Sequence, residues 1–268
     1  MKVSIFLAHL TELSAQKNVS LTAALKEAKK SGVDYLEIDY RNAHGREAEL
    51  KSMMDGAGLE TGALNAWFDF GKGKQPDLIE SALDTAAALN APQIMAVPGF
   101  TEPGDDEAIF LDRLAEGLND LVGKAAERGV SVVMENFDAE NAPYGRMKTC
   151  KELLSKVPGL GCAFDTGNFL FFGEDVLKAY DLLEKRIAHV HMKDIAYAPL
   201  RGEKGKTSVK GKQLYPAPVG SGELPMAEIV RRLYERGYDG LFAIEHFSAG
   251  DQLLYMRRSA RWLKNIFR

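Results

Sequence analysis

The stretch Arg128-Gly129-Val130-Ser131-Val132-Val133-Met134-Glu135 decides the fold. A polar residue and a glycine close a segment of helical periodicity, and a short apolar run follows at once and ends on a carboxylate. The same handover recurs at Ser31-Gly32 and at Arg236-Gly237, each shortly before another apolar run. Working outward, candidate strands lie at Val3 to Ala8, Asp34 to Ile38, Glu60 to Asn65, Gln93 to Val97, Val130 to Glu135, Gly159 to Asp165, Ile187 to Lys193 and Leu241 to Glu245. Helical segments fall around 20–31, 45–57, 75–90, 105–128, 147–155, 174–184, 224–236 and 250–267. Eight βα pairs in about 250 residues is the count of a closed barrel. The expectation is an α/β fold, a single-domain (β/α)8 TIM barrel over residues 1–268, since no repeat, low-complexity tract or linker divides the chain. A doubly wound open sheet would normally carry a glycine-rich phosphate loop after its first strand, and Ala8-His9-Leu10-Thr11 is not one.

Composition narrows the function classes. With 34 Lys+Arg against 38 Asp+Glu, the chain carries a formal charge of -4 and lacks the basic balance that phosphate backbones require, so no nucleic-acid partner is expected. Its two cysteines, Cys150 and Cys162, form no zinc or redox motif, which suggests a reduced compartment. Val3 to Ala8 is too short for a secretory segment, and no run approaches the roughly 18 apolar residues of a membrane span. A cytoplasmic protein with no membrane partner is expected.

In a barrel the reactive groups stand where the strands end. Strand five ends Val132-Val133-Met134-Glu135, strand six Cys162-Ala163-Phe164-Asp165, strand seven His189-Val190-His191-Met192-Lys193, and strand eight Ala243-Ile244-Glu245-His246. Side chains alternate along a strand. If Glu135, Asp165, His191 and Glu245 point inward, then Val132, Met134, Cys162, Phe164, Val190, Met192, Phe242 and Ile244 face the helices, and all eight are apolar. Three carboxylates and an imidazole converging at one mouth raise one another's pKa unless a cation resolves the repulsion. One divalent metal ion is therefore expected on these four residues, with Mn²⁺, Mg²⁺ or Co²⁺ suited to an oxygen-rich set and Zn²⁺ also able to bind.

Beyond single positions, the chain resembles the xylose isomerase-like TIM-barrel superfamily, which includes sugar epimerases and isomerases of the tagatose 3-epimerase and hydroxypyruvate isomerase type and inosose dehydratases. The resemblance rests on Ser31 to Ile38, Gly129 to Asn136, Phe164-Asp165-Thr166-Gly167-Asn168, His189-Val190-His191-Met192-Lys193-Asp194, and Gly237-Tyr238-Asp239-Gly240 leading into Ile244-Glu245. It implies metal ligands Glu135, Asp165, His191 and Glu245, the four that strand parity selects, and places Glu37 near the substrate. Asn168 stands where many sugar-handling members carry histidine, so a donor and acceptor remain while a titrating group is lost.

A metal holding a carbonyl oxygen and its neighbouring hydroxyl acidifies the intervening C–H by holding the charge of the enediolate. Glu135 and Glu245, three strands apart around the ring, would then serve as acid and base on a small sugar, sugar phosphate or keto-sugar. The expected activity is a metal-dependent isomerase or epimerase of carbohydrate metabolism. A sugar or cyclitol dehydratase, a lyase, is the alternative on the same scaffold, because the ligand set does not choose among these outcomes. Ranked lower are a non-catalytic sugar-binding barrel and an AP-endonuclease-like nuclease, which would call for three zinc ions and many histidines where this chain has five. Homo-oligomerisation is left open.

Further substrate contacts are expected from Lys193, which faces inward, from His9 at the end of strand one, and from Trp67, with Phe68 beside it, after strand three. His189 is read as a deeper, hydrogen-bonded histidine that supports the site. The connection from Ile195 to Gly222, roughly 28 residues where βα loops usually have about 2 to 6, reads equally as a lid and as a solvated excursion. Its lysines and Gly220-Ser221-Gly222 before a helix raise the option of a phosphate or acidic group on the substrate.

Overall fold

In the computed structural model, which describes residues 1–267, eight parallel strands follow one another around a closed ring. They are β1 (Lys2–Phe6), β2 (Tyr35–Asp39), β3 (Glu60–Trp67), β4 (Gln93–Val97), β5 (Ser131–Glu135), β6 (Gly161–Asp165), β7 (Ile187–Met192) and, last in the chain, β11 (Leu241–Ile244). Between β7 and β11 lie three short strands, β8 (Asp194–Ala196), β9 (Lys206–Thr207) and β10 (Gln213–Ala217). The ring runs β1-β11-β7-β6-β5-β4-β3-β2, and the short strands form a separate antiparallel sheet in the order β8-β10-β9. Among the described residues, no helix is long and apolar enough to cross a membrane.

The handover at Arg128-Gly129 shows how the sequence builds one repeat. The helix Glu107–Glu127 starts where the Asp106 carboxylate accepts the Ile109 N–H at 3.0 Å. Phe110, Leu111, Leu114, Leu118, Leu121 and Ala125 recur at helical spacing, and that face is buried. Each large apolar side chain contributes roughly 1.5–3 kcal/mol by leaving water. The helix stops where Gly129 takes φ +69°, a conformation that costs a glycine nothing, and the chain then enters β5.

Strand parity holds. Val132, Met134, Cys162, Phe164, Val190, Met192, Phe242 and Ile244 pack in the large apolar layer between barrel and helices. Val133 and Ala163 belong instead to a small cluster inside the ring with Met95 and Val97. Polar strand ends therefore open on the opposite face of β5, β6, β7 and β11 from that layer.

Two expectations need correction. The first strand stops at Phe6, not Ala8, and Leu7–Lys17 is a helix that begins with no intervening loop. Leu7, Leu10 and Leu13, spaced by three and all buried, give it an apolar face that a strand reading of the first apolar run conceals. The connection after β7 is not a bare loop, although 197–202 and 210–213 are exposed. Its small sheet buries Ile195 and Leu214 against Phe171 and Phe172, and Lys206 ties it to Asp138 beyond β5 at 2.9 Å.

Candidate functional site

Glu135 and Asp165 end β5 and β6, His191 is next to last in β7, and Glu245 follows β11, so one rim of the ring brings all four together. One ligand-capable atom from each lies within 4.8 Å of the other three. His191 Nδ1 is 2.7 Å from Glu135 Oε1 and 3.4 Å from Glu245 Oε2, while its Nε2 faces Glu37 Oε2 at 3.2 Å. Lys193 Nζ lies 2.6 Å from Glu245 Oε1 and 3.3 Å from Asp165 Oδ2.

Asp165 and the strand ends beside it are held from behind. Asp165 Oδ1 accepts the N–H groups of Gly167 and Asn168, both at 2.8 Å, which leaves Oδ2 buried without a hydrogen-bond partner. The Asn136 side chain takes the Asp165 N–H at 2.8 Å and donates to the Asp165 carbonyl at 3.1 Å, fixing the end of β6. Thr166 Oγ1 accepts the Lys193 N–H at 3.0 Å, which ties the turn after β6 to β7. These supports were not singled out from the sequence, although Asn136 and Thr166 fall inside the motifs that carry the resemblance.

The charges reflect crowding in a dry place. Burial raises the carboxyls of Glu135 and Asp165, opposed by His191 for the first and Lys193 for the second. At Glu245 burial pulls the same way, but the Lys193 ammonium and His191 outweigh it and hold the carboxyl well below its ordinary range. Burial disfavours the charged forms of His191 and Lys193, yet the surrounding carboxylates raise both well above their usual values. A divalent cation fits this donor set: Asp165 Oδ2 and Glu245 Oε2 are buried and make no hydrogen bond, facing only the cations Lys193 at 3.3 Å and His191 at 3.4 Å, and hard oxygen donors with one imidazole suit it.

A cavity of about 320 Å³ opens beside the four residues. Glu37, Trp67, Glu135 and Glu245 line it, with Asn65, Arg41 and Phe137. Trp67 donates from Nε1 to Asp39 at 3.1 Å and meets Phe137 edge-on at 5.4 Å between centroids, while Phe68, expected beside it, is buried in the core against Phe70. Asn168 Oδ1 accepts from Lys193 Nζ at 2.7 Å, while its Nδ2 is buried and unpartnered.

Two expected contacts are engaged elsewhere. Glu37 reaches the cavity, but Oε1 accepts from Ser4 at 3.0 Å and pairs with His189 at 2.8 Å, and Oε2 faces His191. It lines the cavity and also stands behind the imidazole. Burial alone would raise this carboxyl; His189 and His191 reverse that and hold it far below its usual value. His189 thus takes the supporting place expected of it. His9 does not line the cavity: its Nε2 accepts the His246 N–H at 2.9 Å, so it fixes the backbone just after Glu245. Burial lowers the His9 pKa, which suits an accepting, neutral ring.

The phosphate option at Gly220-Ser221-Gly222 is also overturned. The Gly220 and Gly222 N–H groups both donate to Asp194 Oδ2 at 2.9 Å, and Ile195 N–H donates to Oδ1 at 2.9 Å. A carboxylate of the chain fills that cradle. Of the loop lysines, Lys206 pairs with Asp138 and Lys212 lies over the Tyr197 ring.

Comparison with known proteins agrees with this architecture. A family model described as a xylose isomerase-like TIM barrel matches residues 25–266. The 2-epi-5-epi-valiolone 7-phosphate 2-epimerase of an Actinoplanes species is 28% identical over 187 residues, 64% of this chain and 67% of the relative. The inosose dehydratase of Lacticaseibacillus casei is 26% identical over 259 residues, 85% of this chain and 83% of the relative. A D-allulose 3-epimerase from Methylomonas, solved with D-allulose, superposes with a TM-score of 0.76 at 15% identity and covers 100% of this chain and 97% of its own. At that identity the likeness speaks for the fold.

Proposed function

The chain belongs to the xylose isomerase-like TIM-barrel family, and on that premise we propose that it is a divalent-metal-dependent isomerase or epimerase acting on a small polyhydroxy ketone or aldehyde. The observation that carries this reading is the convergence of Glu135, Asp165, His191 and Glu245 within 4.8 Å of one another. Those four would hold the ion, with His191 presenting Nδ1 and Glu37 steadying the ring from the Nε2 side. The ion would supply Lewis acidity toward a carbonyl and the hydroxyl beside it.

The chain's own residues account for the proton movements. Glu135 and Glu245 come from β5 and from the end of β11, with β6 and β7 between them in the ring. Both line the cavity, so one can take a proton from carbon while the other returns one from a different side. Return to the same carbon is epimerisation; return to the neighbouring carbon is isomerisation. Trp67 and Phe137 wall the cavity and keep water from the exposed carbanion face.

A dehydratase is the second reading, and the likeness to an inosose dehydratase favours it. The inosose dehydratase relative is aligned over most of both chains.

The test is incubation of ketoses, keto acids and inososes in D₂O with Mn²⁺, Mg²⁺ or Co²⁺. Solvent deuterium is expected at the carbon beside the carbonyl, and loss of water separates dehydration from isomerisation. Glu135→Gln and Glu245→Gln should each slow exchange roughly 10²–10⁴-fold. Undiminished exchange in both variants would refute the acid and base roles.

A further inference from the structure

We propose that the cavity beside the metal-binding quartet is built for the uncharged polyol portion of its substrate, carrying neither phosphate nor carboxylate, and that Asn65 is the residue that reads a hydroxyl there. The inference rests on the preceding reading of the quartet as the site of chemistry, and it narrows the substrate class.

Asn65 lies near the end of β3, lines the cavity, and is 4% exposed. Its Oδ1 is buried with no hydrogen-bond partner. A buried acceptor of this kind calls for a donor. A hydroxyl has a proton to give; a phosphate or carboxylate at neutral pH has none. The amide also carries N–H donors, so whichever way it is turned it matches a group that both gives and accepts, and alcohols are such groups.

Three basic side chains near the quartet, Arg41, Lys193 and Lys206, point the same way, because each already pairs with an acid. Arg41 lies 4.5 Å from the Trp67 ring centroid and donates from Nε to Asp39 at 2.9 Å. Lys206 pairs with Asp138 at 2.9 Å and Lys193 with Glu245 at 2.6 Å. A dianion would have to displace one of these carboxylates.

The backbone cradle at Gly220 and Gly222, the other place where a phosphate could sit, holds Asp194. A Cβ at Gly222 would run into that carboxylate, so the close approach depends on glycine. Trp67 and Phe137 complete the cavity with the apolar faces that suit the C–H side of a sugar or cyclitol.

Calorimetric titration of the full chain tests this, with D-fructose and myo-inosose set against D-fructose 1-phosphate and D-fructose 6-phosphate, in Mn²⁺ and again in EDTA. At least one neutral compound should bind ten-fold or more tightly than either ester. Asn65→Leu should weaken that neutral compound about ten-fold while leaving Mn²⁺ affinity unchanged. Tighter binding of an ester, or no binding by either neutral compound, overturns the proposal, and unchanged affinity in Asn65→Leu overturns the role of Asn65. Should the leucine variant fold poorly, Asn65→Ala, which only removes atoms, should show the same loss, and the comparison on the native chain needs no variant. Mn²⁺ titrated without sugar stands apart: if it fails to bind while the neutral preference persists in EDTA, the metal reading falls and the inference about the cavity survives.

Discussion

Loading the metal-free chain with Mn²⁺ should raise its melting temperature, and the gain should grow with pH. The size follows from mass action. An ion at 100 times its dissociation constant stabilises the folded state by about 2.7 kcal/mol. For a chain of this length about 1 kcal/mol moves the midpoint by roughly 2–4 °C, so the shift should be about 5–10 °C. The sign with pH follows from Glu135 and Asp165, whose carboxyls burial raises. Without metal the folded state keeps protons that the unfolded chain has already lost, so its stability falls as pH climbs from the ordinary carboxylate range through the raised values. Coordination needs both carboxyls ionised and the His191 imidazole neutral, so binding should expel up to about three protons and tighten as pH rises. Glu245 has the opposite sign: its lowered value contributes stability that is present at neutral pH and fades only under acid. Thermal melts in EDTA and in Mn²⁺ across about pH 5.5 to 8.5 would read the gap, and calorimetry in two buffers of different ionisation enthalpy would count the protons. Asp165→Asn keeps the oxygen that holds Gly167 and Asn168 but loses the charge, and should abolish most of the shift. A gap that narrows with pH, or an Asp165→Asn shift equal to that of the native chain, would refute the reasoning.

Two further outcomes follow from the supports around the quartet. Glu37→Gln removes the charge behind His191 and should weaken Mn²⁺ by about 10–100-fold, measured by titration, without preventing folding. Asp194→Ala strips the backbone N–H groups of Ile195, Gly220 and Gly222 of their acceptor, at a cost of about 3 kcal/mol from groups left unpaired, read as a lower urea midpoint with an unchanged slope.

Much of the site is legible along the chain because β structure alternates strictly. Once Val132, Met134, Phe164, Val190 and Ile244 are assigned to the helix layer, Glu135, Asp165, His191 and Glu245 have no other way to point, and the structure brings them together. Gly129 and Asp106 likewise mark helix ends through local backbone chemistry that needs no partner.

Alternation says which side of a strand a residue takes, not which neighbour claims its polar atoms. Glu37 turned out to serve His189 and His191, His9 the backbone of His246, and Asp194 a cradle some 26 residues further on. The helix Leu7–Lys17 was hidden for a related reason, since a short apolar run suits both periods until packing selects one. By itself, then, the sequence determined the ring, its register and the four residues at its rim, all consequences of local periodicity. Only the tertiary structure decided which donors remained free to meet a ligand, because hydrogen bonds in a dry interior are shared out among residues far apart in the chain, and Asn65 was left with an oxygen that no other side chain reached.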